Sequence, residues 1–227
     1  MLRKSYFSSK HRIKTVAEQV DFLRLTFPGL GFANVKIAER KLPSDAMGLL
    51  ALPRYEKIAP TYGKAMGKVL MLISAERKLE LANLSLEKLG PQYLRQIPLT
   101  ALMFQKINES QEGFDILLVP FGLGYGGWGN AYNVQESMDE NEFCLDPFSV
   151  GIMSLTHPVE PDYLRDDFWI NCAGCESSPD GNGEFNYTPF FRFERDYFYN
   201  RVGFDVMPKI FGIGGSTYAI GFLPNSA

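Results

Sequence analysis

The sequence predicts an α+β fold: a single domain whose mainly helical first half packs on an antiparallel or mixed sheet from the second half. Apolar residues at helical spacing dominate residues 1–110, whereas short apolar runs between Gly, Asn, Ser and Pro dominate residues 111–227. The runs do not alternate regularly with helices, which argues against a doubly wound sheet. We expect residues 15–227 to form the domain and the basic residues 1–14 to form a flexible tail.

The two halves of the chain carry opposite charge. Residues 1–110 contain 18 basic and 9 acidic residues, whereas residues 111–227 contain 5 basic and 17 acidic residues, which gives the net charge of −3. One interpretation is a basic surface for a polyanion or an acidic partner. Because the basic residues are spread out, we favour attraction between the two halves, and nucleic-acid binding is not predicted.

The location that the sequence predicts is the cytoplasm. No apolar stretch of about 7–15 residues follows the basic N-terminus, as a secretory signal would require. The longest apolar run, residues 69–73, is far shorter than the roughly 20 residues that span a bilayer, so no membrane partner is expected. The three cysteines are an odd number, which argues against a disulfide framework.

The helices are predicted from apolar spacing and from their capping residues. Thr15 can cap the first helix, Pro98 stands where a first-turn proline belongs, and Asp146 is a capping carboxylate before Pro147. A short helical turn is also predicted over residues 91–95. The predicted helices cover residues 15–27, 61–74, 98–108 and 148–156.

The strands are predicted from apolar or aromatic runs between turn residues. Pro120 is expected to end the first strand, because proline cannot donate to a sheet ladder. The predicted strands cover residues 114–119, 167–172, 187–193 and 217–222.

A glycine-aromatic segment, residues 121–132, follows the first predicted strand. Gly122, Gly124 and Gly127 match the spacing of a dinucleotide-binding fingerprint, but neither a βαβ unit nor a following helical stripe accompanies them. We therefore predict a flexible loop that can close over a protein or small-molecule ligand, since exposed aromatic residues mark recognition sites. The predicted ligand-binding side chains are Phe121, Tyr125, Trp128 and Tyr132.

The pair Cys172 and Cys175 has the spacing of a redox disulfide or of half a zinc site. No helix start follows the pair, which argues against a redox site. The only further candidate zinc ligands are Cys144 and His157, and their spacing is loose. The sequence favours buried, inert thiols.

Histidine and carboxylate residues suggest an enzyme as an alternative. His157 could serve in acid–base chemistry, although a histidine in the last turn of a helix also complements the helix dipole. Asp166 and Asp167 are adjacent, so on a strand their side chains point to opposite faces. The alternative hypothesis is a metal-assisted hydrolase that uses these three residues and the loop 180–184.

The loop 180–184 has the composition of a weak calcium site. Asp180, Asn182 and Glu184 present oxygen atoms at alternate positions, and glycines between them allow the chain to curl. The EF-hand pattern is broken, and the same residue types form ordinary hairpin loops. We predict weak calcium binding as the only cofactor interaction.

Several short peptides resemble a family of uncharacterised bacterial proteins. One is Ser-Pro-Asp-Gly-Asn-Gly-Glu-Phe at residues 178–185, and the resemblance extends over residues 45–224. It implies a bacterial protein whose family has no assigned activity or fold. Members tend to carry an acidic residue at the position of Cys175, so the acidic loop is the more family-like feature. The other peptides lie at residues 58–62, 89–95, 140–143, 155–158, 167–170 and 221–224.

These observations favour a non-catalytic cytosolic binding or interaction protein that uses the glycine-aromatic segment. A convergent pocket of ionisable side chains would favour the enzyme instead.

Overall fold

The computed structural model confirms the α+β fold. It describes residues 13–77, 80–82, 86–124, 129–157, 168–195, 200–211 and 217–224. Within these ranges, six α-helices and two short 3-10 helices accompany ten strands of a single mixed sheet.

The helices are α1 (Val16–Thr26), α2 (Val35–Ala38), α3 (Tyr62–Arg77), α4 (Pro98–Ser110), α5 (Ala131–Glu136) and α6 (Pro147–Thr156), with 3-10 turns at Tyr55–Lys57 and Leu86–Leu89. The strands are β1 (Gly48–Pro53), β2 (Glu80–Ala82), β3 (Leu94–Gln96), β4 (Ile116–Gly124), β5 (Glu142–Cys144), β6 (Phe168–Asn171), β7 (Cys175–Ser177), β8 (Tyr187–Arg195), β9 (Asn200–Pro208) and β10 (Thr217–Phe222).

The predicted helix starts are confirmed by their capping contacts. The Glu18 N–H donates to the Thr15 hydroxyl at 3.3 Å, and the Thr15 N–H donates to the Glu18 carboxylate at 2.7 Å, which together form a capping box. Pro98 occupies the first turn of α4, and Asp146 caps α6. The helical turn predicted at residues 91–95 was partly wrong, because the turn gives way to β3, which pairs with β7.

Pro120 lies inside β4, so the prediction that it ends the strand was wrong. The Arg54 N–H donates to the Asp115 carbonyl across the β1–β4 pair at 2.9 Å, and hydrogen-bonded positions recur at every second residue of an antiparallel ladder. Pro120 therefore occupies a non-hydrogen-bonded position. On the other side, β10 pairs with β4 only from Phe121 onward, so the missing N–H breaks no ladder.

The sheet joins both halves of the chain. Its main strand order is β1-β4-β10-β6-β8-β7-β3, while β9 adds to β8, β2 adds to β9 and β5 pairs with β10. Three of these strands (β1, β2 and β3) come from the first half, where only helices and a turn were predicted. The β10–β6 and β2–β9 pairs are parallel, and the other named pairs are antiparallel.

Helix α6 is buried along its whole length and packs against α3. Its Gly151 lies where the two helices approach closely, because a Cβ atom there would lie 2.6 Å from Val69 Cγ1. Among the described helices, none combines the length and apolar character needed to cross a lipid bilayer.

Two buried glutamine side chains complete the hydrogen bonding of β1 and β4. The Gln19 amide donates to the Leu49 carbonyl and accepts from the Ala51 N–H, both at 2.8 Å. The Gln111 amide donates to the Leu118 carbonyl at 3.0 Å and accepts from the Leu118 N–H at 2.8 Å. Each primary amide thus replaces a neighbouring strand, because its carbonyl and NH₂ groups match one peptide's donor and acceptor.

We expect Gln19→Ala to lower the free energy of unfolding by about 2–4 kcal/mol, since it leaves two buried backbone groups unpaired. The control is Gln105→Ala on the exposed face of α4, where the change should cost less than about 0.5 kcal/mol. Denaturant unfolding curves measure both values. Equal effects of the two substitutions would contradict the edge-capping role.

Candidate functional site

The N-terminus of α6 is buried, so its N–H groups need partners inside the protein. Pro147 has no N–H group. The Phe148 N–H donates to the Tyr62 hydroxyl at 3.2 Å, and the Ser149 N–H donates to Asp146 Oδ1 at 2.8 Å. The Val150 N–H donates to the Asp146 carbonyl at 3.0 Å. Asp146 and Tyr62 therefore satisfy the donors of this turn.

Asp146 is a buried carboxylate without a cationic partner among the described residues. Its side chain accepts from Gln96 Nε2 at 2.6 Å, which links α6 to β3. Desolvation raises the pKa of Asp146, because only 2% of the residue is exposed, although hydrogen bonds from Ser149, Gln96 and Tyr62 oppose the rise. Neutral donors replace the counter-ion that a buried carboxylate usually has.

A polar pocket with a volume of about 90 Å³ lies beside Asp146. The buried Ser149 hydroxyl lines it, lies near the Asp146 carboxylate and has no partner with normal hydrogen-bond geometry among the described residues. Tyr62 lines the pocket with a partly exposed ring, while its hydroxyl reaches the first turn of α6. The lining residues that carry side-chain nitrogen or oxygen atoms are Arg54, Tyr55, Glu56, Tyr62, Gln96, Asn108, Asp146 and Ser149.

Arg54 at this pocket is held in place by the end of α4. Its guanidinium donates to the Asn108 side chain and backbone carbonyl, to the Phe114 carbonyl at 2.7 Å and to the Gln111 carbonyl at 3.0 Å. These acceptors are the carbonyls that a helix C-terminus leaves unpaired and those of the turn that follows. Four of the five N–H donors of Arg54 are therefore used within the protein.

The three cysteines are free, buried thiols. Tyr62 Oη lies 4.0 Å from Cys175 Sγ, so this thiol borders the residues that cap α6. Burial raises the pKa of Cys144 to about 12 and raises the pKa values of Cys172 and Cys175 well above 9, with the Asp146 charge adding to the latter two shifts. These directions agree with the interpretation of inert thiols. In the described ranges, no group of three or more His, Cys, Asp or Glu side chains is arranged to hold a metal ion.

His157 is the C-cap of α6 and is buried, with its Nδ1 atom 3.0 Å from the Thr156 hydroxyl and its ring beside Phe121. Desolvation, and then the nearby Lys14 charge, lower the pKa of His157 to about 4. The ring is therefore neutral at pH 7, so the interpretation that its charge complements the helix dipole was wrong. Asp166 and Asp167, its proposed partners, lie outside the described residues.

The loop 180–184 forms a local hydrogen-bonded turn. The Asn182 side-chain oxygen accepts from the Ser178 hydroxyl and from the Glu184 N–H, both at 2.9 Å. Gly181 and Gly183 have φ values of 65° and 87°, which favour glycine. Asp180, Asn182 and Glu184 are exposed. Neither this loop nor His157 lines the pocket beside Asp146, and calcium binding by the loop stays a prediction.

The glycine-aromatic segment is divided in the structure. Gly122 and Gly124 are inside β4, so they do not form the turn of a dinucleotide site. Phe121 is fully buried, which contradicts its predicted role in an exposed ligand-binding surface. Tyr125 and Trp128 lie outside the described residues. Tyr132 is 40% exposed and has Lys209 Nζ 5.5 Å from its ring centroid.

Two open grooves with mainly apolar linings accompany the polar pocket. One, of about 630 Å³, runs between α1, α2 and β1 and includes the exposed Phe32 and Val35. The other, of about 490 Å³, lies between the end of α1 and α3. Both grooves expose mainly apolar surface, although Lys14, Thr15, Asp21 and Arg24 also line the first.

Sequence reasoning recognised Asp146 only as a helix cap and missed Tyr62, Gln96 and Ser149 as its neighbours. One local signal was present, since residues 147–156 contain no charged side chain. A helix without a polar face is buried, and a buried helix needs buried partners for its first N–H groups.

No family model, curated protein or solved structure matches the chain. The resemblance to uncharacterised bacterial proteins stays a prediction.

We expect Asp146→Asn to change the pH dependence of stability, because asparagine also caps helices but does not titrate. The raised pKa makes the folded state bind a proton more readily than the unfolded state, so ionised Asp146 opposes folding above that pKa. This penalty disappears as the pH falls to the ordinary value of 3.8. Wild type should therefore gain stability relative to the variant between neutral pH and about pH 4.

Thermal unfolding across that pH range provides the measurement, with the exposed Asp139→Asn as the control. Parallel curves for wild type and Asp146→Asn would show that burial does not perturb this carboxyl.

We also expect the three thiols to be unreactive in the folded protein. Burial removes them from solvent and disfavours the thiolate that attacks a disulfide reagent. Dithionitrobenzoate at mildly alkaline pH should release no colour until denaturant is added. Fast reaction of one or more thiols in the native state would contradict their burial.

Proposed function

We propose that the protein is a non-catalytic cytoplasmic binding protein, and that the pocket beside Asp146 holds a small polar molecule or one polar group of a larger ligand. The observation that carries this proposal is the convergence of Asp146, Ser149, Gln96 and Tyr62 on one cavity. Binding pockets commonly combine an apolar wall with a few placed polar groups. Here Leu52, Leu117 and Phe148 contribute to the apolar part of the lining.

The groups in and beside the pocket suit binding better than catalysis. Nucleophilic catalysis needs a nucleophile within reach of a base that removes its proton. Burial raises the pKa values of Tyr62 and Cys175, so both keep their protons at neutral pH. Asp146 already accepts hydrogen bonds from Ser149, Gln96 and Tyr62, and none of the described lining residues is a histidine.

The hydrolase alternative has less support. His157 is neutral and lies beside Phe121, whereas the loop 180–184 lies near Tyr93. Their described contacts do not bring them to a common site.

A protein partner is a second candidate, favoured by exposed apolar side chains near Tyr132. Ile210 and Phe211 are 67% and 59% exposed, and Asn130 Nδ2 lies 3.5 Å from the Ile210 carbonyl. This contact brings the start of α5 and the end of β9 together and places aromatic and aliphatic surface at one position. Such surface is typical of recognition sites.

We expect at least one member of a small-molecule panel to bind the pocket. The panel contains guanidinium, methylammonium, urea, acetamide and acetate, which cover cationic, neutral and anionic groups that suit a small cavity. Binding should shift the NMR signals of the Gln96 side-chain amide and of the Phe148 and Ser149 backbone amides. The exposed Gln105 side-chain amide is the control. If no panel member shifts the three pocket signals, the proposal is wrong.

A further inference from the structure

We infer that the pocket selects a small organic cation, an ammonium or amidinium group, and places its positive charge against the Asp146 carboxylate. The inference rests on the proposed function and names its ligand class. It starts from the surroundings of Asp146, which is 98% buried but forms no ion pair with a described residue. Buried carboxylates are normally paired with a cation, because hydrogen bonds from neutral groups only partly replace hydration.

The free hydrogen-bonding capacity in the pocket consists mainly of acceptors. A carboxylate has about four lone-pair positions, and Asp146 uses at least three of them, for the Ser149 N–H, Gln96 Nε2 and the Tyr62 hydroxyl. The Ser149 hydroxyl oxygen is a further acceptor that is buried and unpartnered in the described structure. A ligand with several N–H groups fits this set, since ammonium and amidinium groups donate only.

An anionic ligand does not fit the same pocket. Arg54 is the cationic residue in the described lining, and four of its five N–H donors are engaged by Asn108, Gln111 and Phe114 at the end of α4. Glu56, exposed at the same pocket, adds negative charge. An anion would therefore meet two carboxylates, while Arg54 keeps its charge but has at most one further N–H group to donate.

The affinity for a cation should fall as the pH is lowered. Besides Asp146, the ionisable groups facing this position are Tyr62 from α3, Cys172 before β7 and Cys175 in β7, with Arg54, Tyr55 and Glu56 at the pocket. Tyr62 and the two thiols are neutral at and below pH 7, because their pKa values are raised. Protonation of Asp146 removes the buried negative charge, so the cation and the proton compete.

The test compares guanidinium with urea, a planar neutral molecule of nearly the same shape, in the panel experiment at millimolar concentrations and constant ionic strength. Guanidinium should bind about tenfold more tightly than urea at pH 7, because a hydrogen bond between charged groups is stronger than a neutral one. Asp146→Asn should abolish this preference, whereas the exposed Asp139→Asn should retain it.

Asparagine caps helices about as well as aspartate, so the variant is expected to fold. If it does not, the wild-type pH titration decides: guanidinium affinity should weaken toward acidic pH while urea affinity stays constant. Equal affinity for guanidinium and urea, pocket binding by acetate or acetamide alone, or a guanidinium preference retained in Asp146→Asn would overturn the cation assignment and leave the pocket a binding site. If no panel member shifts the pocket NMR signals, the proposed function is overturned as well.

Discussion

The buried start of α6 is the constraint on which much of the arrangement depends. An uncharged helix can be enclosed by protein on all sides only if its first N–H groups find acceptors there. Asp146 and Tyr62 provide those acceptors, and Gln96 holds the Asp146 side chain from β3. The Asp146 carboxylate thus links α6 to α3 through Tyr62, and to β3, at the end of the strand order, through Gln96.

The same requirement explains the buried glutamines. Leu49, Ala51 and Leu118 have backbone groups that no described strand pairs. Burial would make each of these groups costly if it had no partner. Gln19 and Gln111 satisfy these groups with neutral amides, which need no counter-ion. Asp146 differs from both, because it brings a negative charge into the interior. That difference is why we assign binding to the pocket beside Asp146.

The sequence predicted the elements that local signals determine. Thr15, Pro98 and Asp146 mark helix starts through contacts within one turn, and the aromatic runs of β8 and β10 mark buried strands. It missed β1 because residues 48–53 are short and apolar without alternation, a pattern that only pairing with β4 explains. The site also depends on partners that are distant in sequence. No local pattern around Asp146 predicts that Tyr62 and Gln96 contact it. The predicted charge of His157 was wrong because the ring is buried beside Phe121, and its position in the sequence does not show this burial.

The central claim is that a bound cation supplies the counter-ion of Asp146, a buried carboxylate that forms no ion pair with a described residue. The direct measurement is the pKa of Asp146, from the pH dependence of its ¹³C carboxyl shift, in the free protein and in protein saturated with guanidinium. The account predicts a pKa above 3.8 in the free protein and a lower pKa with guanidinium bound. A free-protein pKa at or below 3.8, or no change on saturation, would contradict it.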